Sequence, residues 1–270
     1  VRFLRIAWKG SWLAVHIALG ALLAVLRPDG LDERFARGWS RVACRIMNLR
    51  VVRVGAPAPG PALWAANHVS WLEAVALQSV SPLCFVAKSE VGRWPVIGRI
   101  AKAAGTLFLR RGSPRAAARA AEAAALRLAE GRSVAVFPEG TSTAGDEVLA
   151  FKSALFEAPA RLGCDVQPVS VFYPRRPGTR AVAPFIGDDQ FLPHLLRVLA
   201  EPEIVLELGF APAMSGHGRT REELASEARD AVIASLRARR GFPVGPGLGL
   251  APVTSSCYMR EACRASSESS

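Results

Sequence analysis

The sequence is short of the residues that build redox and metal sites. Its five cysteines, Cys44, Cys84, Cys164, Cys257 and Cys263, form no CxxC pair, which argues against a zinc ribbon or a dithiol redox centre. An odd number without framework spacing fits a reducing, cytoplasmic compartment. Cys84 and Cys164 sit in apolar runs and read as small buried hydrophobes. The phosphate-binding P-loop, the HExxH helix of zinc peptidases and the GxSxG turn of α/β-hydrolases are all missing, so those chemistries have no residues to work with. Neither a metal nor a bound cofactor is expected. Aromatics make up only 7% of the chain and do not alternate with basic residues as a single-strand groove requires. Nucleic acid is therefore set aside as a partner.

Apolar residues and positive charge are abundant: 50% of the 270 residues are hydrophobic and the formal net charge is +11. That length supports one large α/β domain with apolar residues to spare. The charge favours an anionic lipid surface. Trp12 to Leu26 (WLAVHIALGALLAVL) holds no Lys, Arg, Asp or Glu. As a helix it is about 22 Å long, short of the about 30 Å hydrocarbon core of a bilayer. No small-residue signal-peptide cleavage site follows; Arg27-Pro28-Asp29-Gly30 turns the chain instead. Residues 32–48 then place Phe35, Trp39, Val42, Ala43, Ile46 and Met47 on one helical face and Arg34, Arg37, Arg41 and Arg45 on another. This is the pattern of a helix lying among lipid headgroups, although a surface helix packed on a core reads the same way. Residues 1–49 are predicted to form a membrane-associated helical hairpin, monotopic rather than spanning.

Seven apolar, β-favouring runs follow: Arg50–Val54, Ala62–Ala66, Leu83–Ala87, Thr106–Leu109, Val134–Phe137, Gln167–Phe172 and Ile204–Phe210. Helical stretches separate them. Residues 115–130 are alanine-rich, opened by Ser113 and Pro114 and closed by Gly131. Thr220-x-x-Glu223 opens another helix as a capping box, with Arg237, Arg239 and Arg240 at its far end. Strands alternating with helices predict an α/β fold over residues 50–240, a largely parallel sheet flanked by helices. Residues 241–270 are rich in Gly, Pro and Ser and are predicted to be a disordered tail.

Three short stretches could carry chemistry. His68 lies between a predicted strand and a predicted helix, where sites form in open α/β sheets. Ser70-x-x-Glu73 reads as a capping box, which aims the glutamate back at the chain entering the helix. His68 is in that entering chain, so a cap and a His–carboxylate pair are compatible. Such a carboxylate fixes the imidazole tautomer and leaves the other nitrogen as a base. In Phe137-Pro138-Glu139-Gly140-Thr141 a strand runs into a tight turn with polar groups at its rim. Gly105 to Arg111 is a strand that delivers Arg110 and Arg111, suited to an anionic group. Two other readings stay open. One is a hydrolase with Ser70 or Cys84 as nucleophile and His68 as base; the other is a non-catalytic membrane-binding protein in which Glu73 only caps.

The order of these pieces, Asn67-His68-x4-Glu73, then Gly105 to Arg111, then Phe137 to Thr141, then Gln167-Pro168-Val169-Ser170, resembles the glycerolipid acyltransferase family, whose best-known members are the 1-acylglycerol-3-phosphate acyltransferases. The resemblance implies transfer of an acyl chain from acyl-CoA or acyl carrier protein to a lipid hydroxyl. It also implies association with membrane lipids, with the active site on the cytoplasmic face of a bacterial inner membrane. On that resemblance His68 is the general base and Arg111 binds the substrate headgroup. Glu139 and Gly140, beside Thr141, form the acceptor-binding turn, and Pro168 borders the acyl site. The chain departs from the family pattern twice. Glu73 stands where the family usually has aspartate, so Glu73→Asp is expected to be tolerated. Ser142 stands where an arginine usually follows the threonine, removing a phosphate ligand that Arg110, Lys88 or Lys152 is left to replace. The second departure, and Phe-Leu-Pro-His-Leu at residues 191–195, resemble the lyso-ornithine lipid O-acyltransferases and open an alternative acceptor without a phosphate.

Overall fold

The computed structural model of the chain describes residues 1–27, 32–109, 114–174 and 181–239. Two helices lead, α1 (Arg2–Leu26) and α2 (Glu33–Met47). Then come β1 (Leu49–Val54), β2 (Ala62–Ala66), α3 (Leu72–Val80), β3 (Cys84–Lys88), two short helices α4 (Ser89–Gly92) and α5 (Ile97–Ala103), and β4 (Leu107–Leu109). The second half holds α6 (Pro114–Ala129), β5 (Val134–Val136), a 3-10 turn at Ser153–Phe156, α7 (Glu157–Leu162), β6 (Asp165–Phe172), α8 (Phe191–Ala200), β7 (Ile204–Phe210) and α9 (Arg221–Arg237).

All seven predicted strands are present, and they form one sheet of order β1-β7-β6-β2-β5-β3-β4. Every neighbouring pair is parallel except β6 and β7. Strand alternation divides the core. Ala62, Trp64 and Ala66 of β2 face the layer of α2, α3 and α8. Leu63 and Ala65 face the layer of α6 and α9. Because β2, β5 and β6 are parallel and adjacent, their carboxyl ends, and the loops that follow them, meet at one edge near the middle of the sheet.

The N-terminal helices are packed more closely onto this body than the hairpin expectation implies. Along α1, Lys9, Leu13, His16 and Gly20 are buried, one face of a helix, and the helix contacts α2, α5 and α8. Lys9 Nζ donates to the carbonyls of Met47 and Glu201 at 3.1 and 2.7 Å, and Arg5 donates to Ala200. The His16 and Trp39 rings stack at 3.8 Å, where Gly20 leaves no room for a side chain: a Cβ there would lie 2.7 Å from the Trp39 ring. Helix α2 buries Ala36, Ala43, Cys44 and Met47, packs along α3, and is tied to the end of α3 by Arg41 donating to Ser79. Much of its apolar side is thus covered by the body, leaving Phe35 and Val42 exposed. The turn assigned to Arg27-Pro28-Asp29-Gly30 lies, beyond Arg27, outside the described residues, as do Ser113, Arg240 and the 241–270 tail.

Candidate active site

His68 follows the carboxyl end of β2, Glu139 follows β5, and Tyr173 follows β6. The three loops converge because of Asn67. The β2–β6 ladder ends at Ala66 opposite Val169. Beyond it the buried Asn67 side chain continues the pairing: Nδ2 donates to the Val171 carbonyl at 3.1 Å, and Val171 N–H donates back to Oδ1 at 2.7 Å. An amide side chain thus stands in for one more ladder residue, leaving the next residue, His68, free to point out of the sheet.

The His68 ring stacks on Phe137 at 4.1 Å, and its Nδ1 lies 2.8 Å from Glu73 Oε2. Glu73 is fully buried, and its carboxylate is saturated. Oε2 also accepts the N–H groups of Ser70 at 2.8 Å and Val69 at 3.2 Å, while Oε1 accepts the Tyr173 hydroxyl at 2.7 Å. Burial, and then the Glu73 charge, push the Tyr173 hydroxyl well above its ordinary range, so it stays a donor. With Nδ1–H committed to Glu73, Nε2 is the acceptor nitrogen. It makes no hydrogen bond among the described residues, and the side chain is 21% exposed.

The capping box at Ser70 forms only by half. Glu73 takes the Ser70 N–H, but the Ser70 hydroxyl is buried without a hydrogen-bond partner among the described residues. The helix begins one residue later, with Trp71 at its cap position and no side-chain cap. A hydroxyl so enclosed cannot attack a substrate. Cys84 opens β3 at the opposite edge of the sheet from His68. Neither nucleophile of the hydrolase reading is placed to react with His68 as its base.

The resemblance implied that Glu139 belongs to an acceptor-binding turn; in the structure its carboxylate is turned inward. It is buried, and both of its oxygens are occupied by backbone donors: Oε1 by His68 N–H at 2.7 Å and Oε2 by Leu149 N–H at 2.8 Å. Burial raises its pKa, opposed by these two bonds. It braces the His68 backbone. Gly140 turns with φ +76°, and the Lys152 ammonium lies over it, 2.5 Å from where a Cβ would be. Thr141 is exposed at the rim. Pro168 is buried in mid-strand opposite Ala65, three residues before His68, and so belongs to the sheet. Arg110 and Arg111 lie outside the described residues.

Three participants had little sequence signal. Tyr173 is one. The others are Trp71 and His194: Trp71 Nε1–H donates to His194 Nδ1 at 3.1 Å, and His194 Nε2 faces the carbonyls of Ala183 and Pro184 at 3.2 and 3.1 Å. The same segment is pinned at Phe185, whose N–H donates to Val69 at 2.9 Å and whose carbonyl accepts the Ser142 hydroxyl. The chain over residues 181–189 is thereby fixed as a wall beside His68.

Residues 49–172 match the family model described as Acyltransferase. The lyso-ornithine lipid O-acyltransferase of Pseudomonas aeruginosa is 38% identical over 239 residues, covering 87% of this chain and 91% of that protein. The 1-acyl-sn-glycerol-3-phosphate acyltransferase of Neisseria gonorrhoeae is 34% identical over 175 residues, 65% of this chain and 69% of that protein. Among solved structures, the 1-acyl-sn-glycerophosphate (LPA) acyltransferase PlsC of Thermotoga maritima shares the fold, with a TM-score of 0.65 at 22% identity over 88% of this chain and 97% of that one.

Proposed function

The chain belongs to the acyltransferase family, and from that premise we propose that it moves a fatty acyl group from acyl-CoA or acyl carrier protein to the free hydroxyl of a lyso-ornithine lipid. The observation that carries the reading is the 2.8 Å His68–Glu73 pair with Nε2 left open at a partly exposed edge. Nε2 accepts the proton of the acceptor hydroxyl while that oxygen attacks the thioester carbonyl. The C–S bond of the tetrahedral intermediate then breaks, and the departing thiolate takes the proton back from Nε2–H. Glu73 supports the imidazolium between the two transfers, and no acyl-enzyme is formed.

The acceptor is argued from Ser142. Its hydroxyl is turned inward onto the Phe185 carbonyl, so this position offers no cation to a phosphate. Of the two sequence relatives above, the one matched over more of its length and of this chain is the lyso-ornithine lipid O-acyltransferase. The Lys152 ammonium over Gly140 makes no ion pair among the described residues, and it supports 1-acylglycerol-3-phosphate as the second reading. A lipid acceptor also suits α1, which is long and apolar enough to cross a membrane by length and composition yet is held along the body by Lys9 and Arg5. That arrangement supports a monotopic anchor, and the proposed acyl-CoA or acyl carrier protein donor goes with a site on the cytoplasmic face of the inner membrane.

The test uses the full chain in detergent with radiolabelled acyl-CoA and acyl carrier protein thioesters, each offered lyso-ornithine lipid or 1-acylglycerol-3-phosphate. Acylated lyso-ornithine lipid is the expected product, and His68→Ala should lose about 10²- to 10⁴-fold in rate. Acceptor-dependent product formed equally well by His68→Ala would remove His68 as the base.

A further inference from the structure

Glutamate has one more side-chain torsion than aspartate, and a carboxylate free to swing about it would meet the imidazole in many orientations. In this chain it is not free. Glu73 is wholly buried, and Oε2 is aimed at His68 Nδ1 by two backbone donors on the same oxygen. Those three bonds fix one oxygen as a pivot but leave rotation about it. The rotation is stopped at Oε1 by the Tyr173 hydroxyl, 2.7 Å away and 100 residues on in sequence. Tyr173 is itself held. It stands two residues beyond Val171, just past the end of β6 and toward the same core layer, and Val171 is fastened to Asn67 by the paired hydrogen bonds. Its ring packs on the core layer of α2 and α3.

We propose that Tyr173 is a positioning residue for the acyl transfer, the second clamp that lets a glutamate present a single oxygen to His68 Nδ1. It touches neither substrate nor reacting atoms and acts only through Glu73. The inference rests on His68 being the base.

A positioning bond to the carboxylate predicts effects that loss of packing does not. Tyr173→Phe keeps the ring and removes only the donor. The kcat should fall about tenfold, a part of the ~10²–10⁴ that a general base supplies, with KM for donor and acceptor unchanged. The oxygen left without its donor becomes more basic and holds the proton on His68 more strongly, so the acid limb of kcat should move up by about half a pH unit. The His68 ring should titrate at correspondingly higher pH by NMR. In a Glu73→Asp background the shortened carboxylate cannot reach both partners, so Tyr173→Phe should add less than about twofold, a non-additivity expected of directly coupled groups. Assays use whichever of lyso-ornithine lipid and 1-acylglycerol-3-phosphate the wild type acylates.

An unchanged kcat and acid limb in Tyr173→Phe, or the same loss in both backgrounds, overturns the inference. Failure of the base assignment reads differently: His68→Ala remains active, whereas the NMR titration of His68 still reports whether Tyr173 sets the pair.

Discussion

His194 is wholly buried, and its two nitrogens have opposite duties. Nδ1 must accept from Trp71, and Nε2–H must face the carbonyls of Ala183 and Pro184. Only the neutral ring can do both, since the imidazolium has two donors and no acceptor. Burial lowers its pKa from the ordinary 6.5; Arg197 acts in the same direction and Asp189 against it. The sign follows from linkage. A base whose folded-state pKa is depressed contributes stability that is fully present above 6.5 and is lost as the pH falls below it towards the folded value. The thermal midpoint of the wild type should therefore drop between pH 7 and pH 5 more steeply than that of His194→Gln. Glutamine can still accept from Trp71 and donate to a carbonyl, but it does not titrate. His68 is common to both proteins and cancels in the comparison, so parallel profiles would mean that His194 does not hold the 181–189 wall through its neutral form.

At the scale of elements, Lys9 joins three helices: its ammonium, from the N-terminal half of α1, sits at the carboxyl ends of α2 and α8, where helix dipoles favour a cation. Lys9→Met should keep the packing volume and leave two carbonyls unanswered. A loss of about 1–3 kcal/mol of stability is expected from bonds of this kind, read as a lower thermal midpoint with faster hydrogen exchange across residues 2–26. Exchange unchanged in α1 would show that its apolar contacts suffice. Elements were the most legible feature of the sequence. The seven β-favouring runs fall on the seven strands because each is a short apolar stretch bounded by turn residues, and local composition decides such elements. Two capping boxes of the same spelling mark where that legibility stops. Thr220 and Glu223 exchange both bonds. Ser70 and Glu73 exchange one: the carboxylate takes the Ser70 N–H, but the helix starts a residue later, at Trp71, and the Glu73 N–H goes to the Ser70 carbonyl instead of its hydroxyl. His68 with Glu73 was readable, lying five residues apart where a loop enters α3. The bonds of Tyr173 to Glu73 and of Trp71 to His194 join segments 100 and 123 residues apart, and nothing local in the chain encodes them. The inward turn of the Glu139 carboxylate was not readable, since two backbone N–H groups from different loops decide which way it faces.

At the scale of the whole molecule, the two faces of α1 assign it two partners. One is buried on the body by Lys9, Leu13, His16 and Gly20. The other carries Leu4, Trp8, Trp12, Val15, Leu19, Leu22 and Leu26, all exposed and spaced three or four residues apart. Leu192 and Leu196 of the adjoining α8 are exposed as well. An apolar stripe of about 33 Å, from the helical rise between Leu4 and Leu26, is longer than solitary surface leucines require, and the chain around it carries a net charge of +11. The inner face is pinned, so α1 cannot stand upright in a bilayer without drawing the body in with it. It can lie flat with the stripe in the headgroup layer. On the adjoining α8, Phe191 packs on Trp94 at 4.9 Å and on Trp71 at 5.2 Å, linking that helix to the loop that carries His68. Trp8→Ser with Trp12→Ser should weaken partition onto phosphatidylglycerol vesicles by roughly 100-fold or more, given about 1.5–3 kcal/mol per large side chain buried. Binding of the wild type should also weaken as salt is raised. The activity of the double variant on acceptor dispersed in detergent should be unaffected, because neither tryptophan reaches the site. Vesicle binding that survives the double substitution at low and high salt alike would place the membrane contact elsewhere on the molecule.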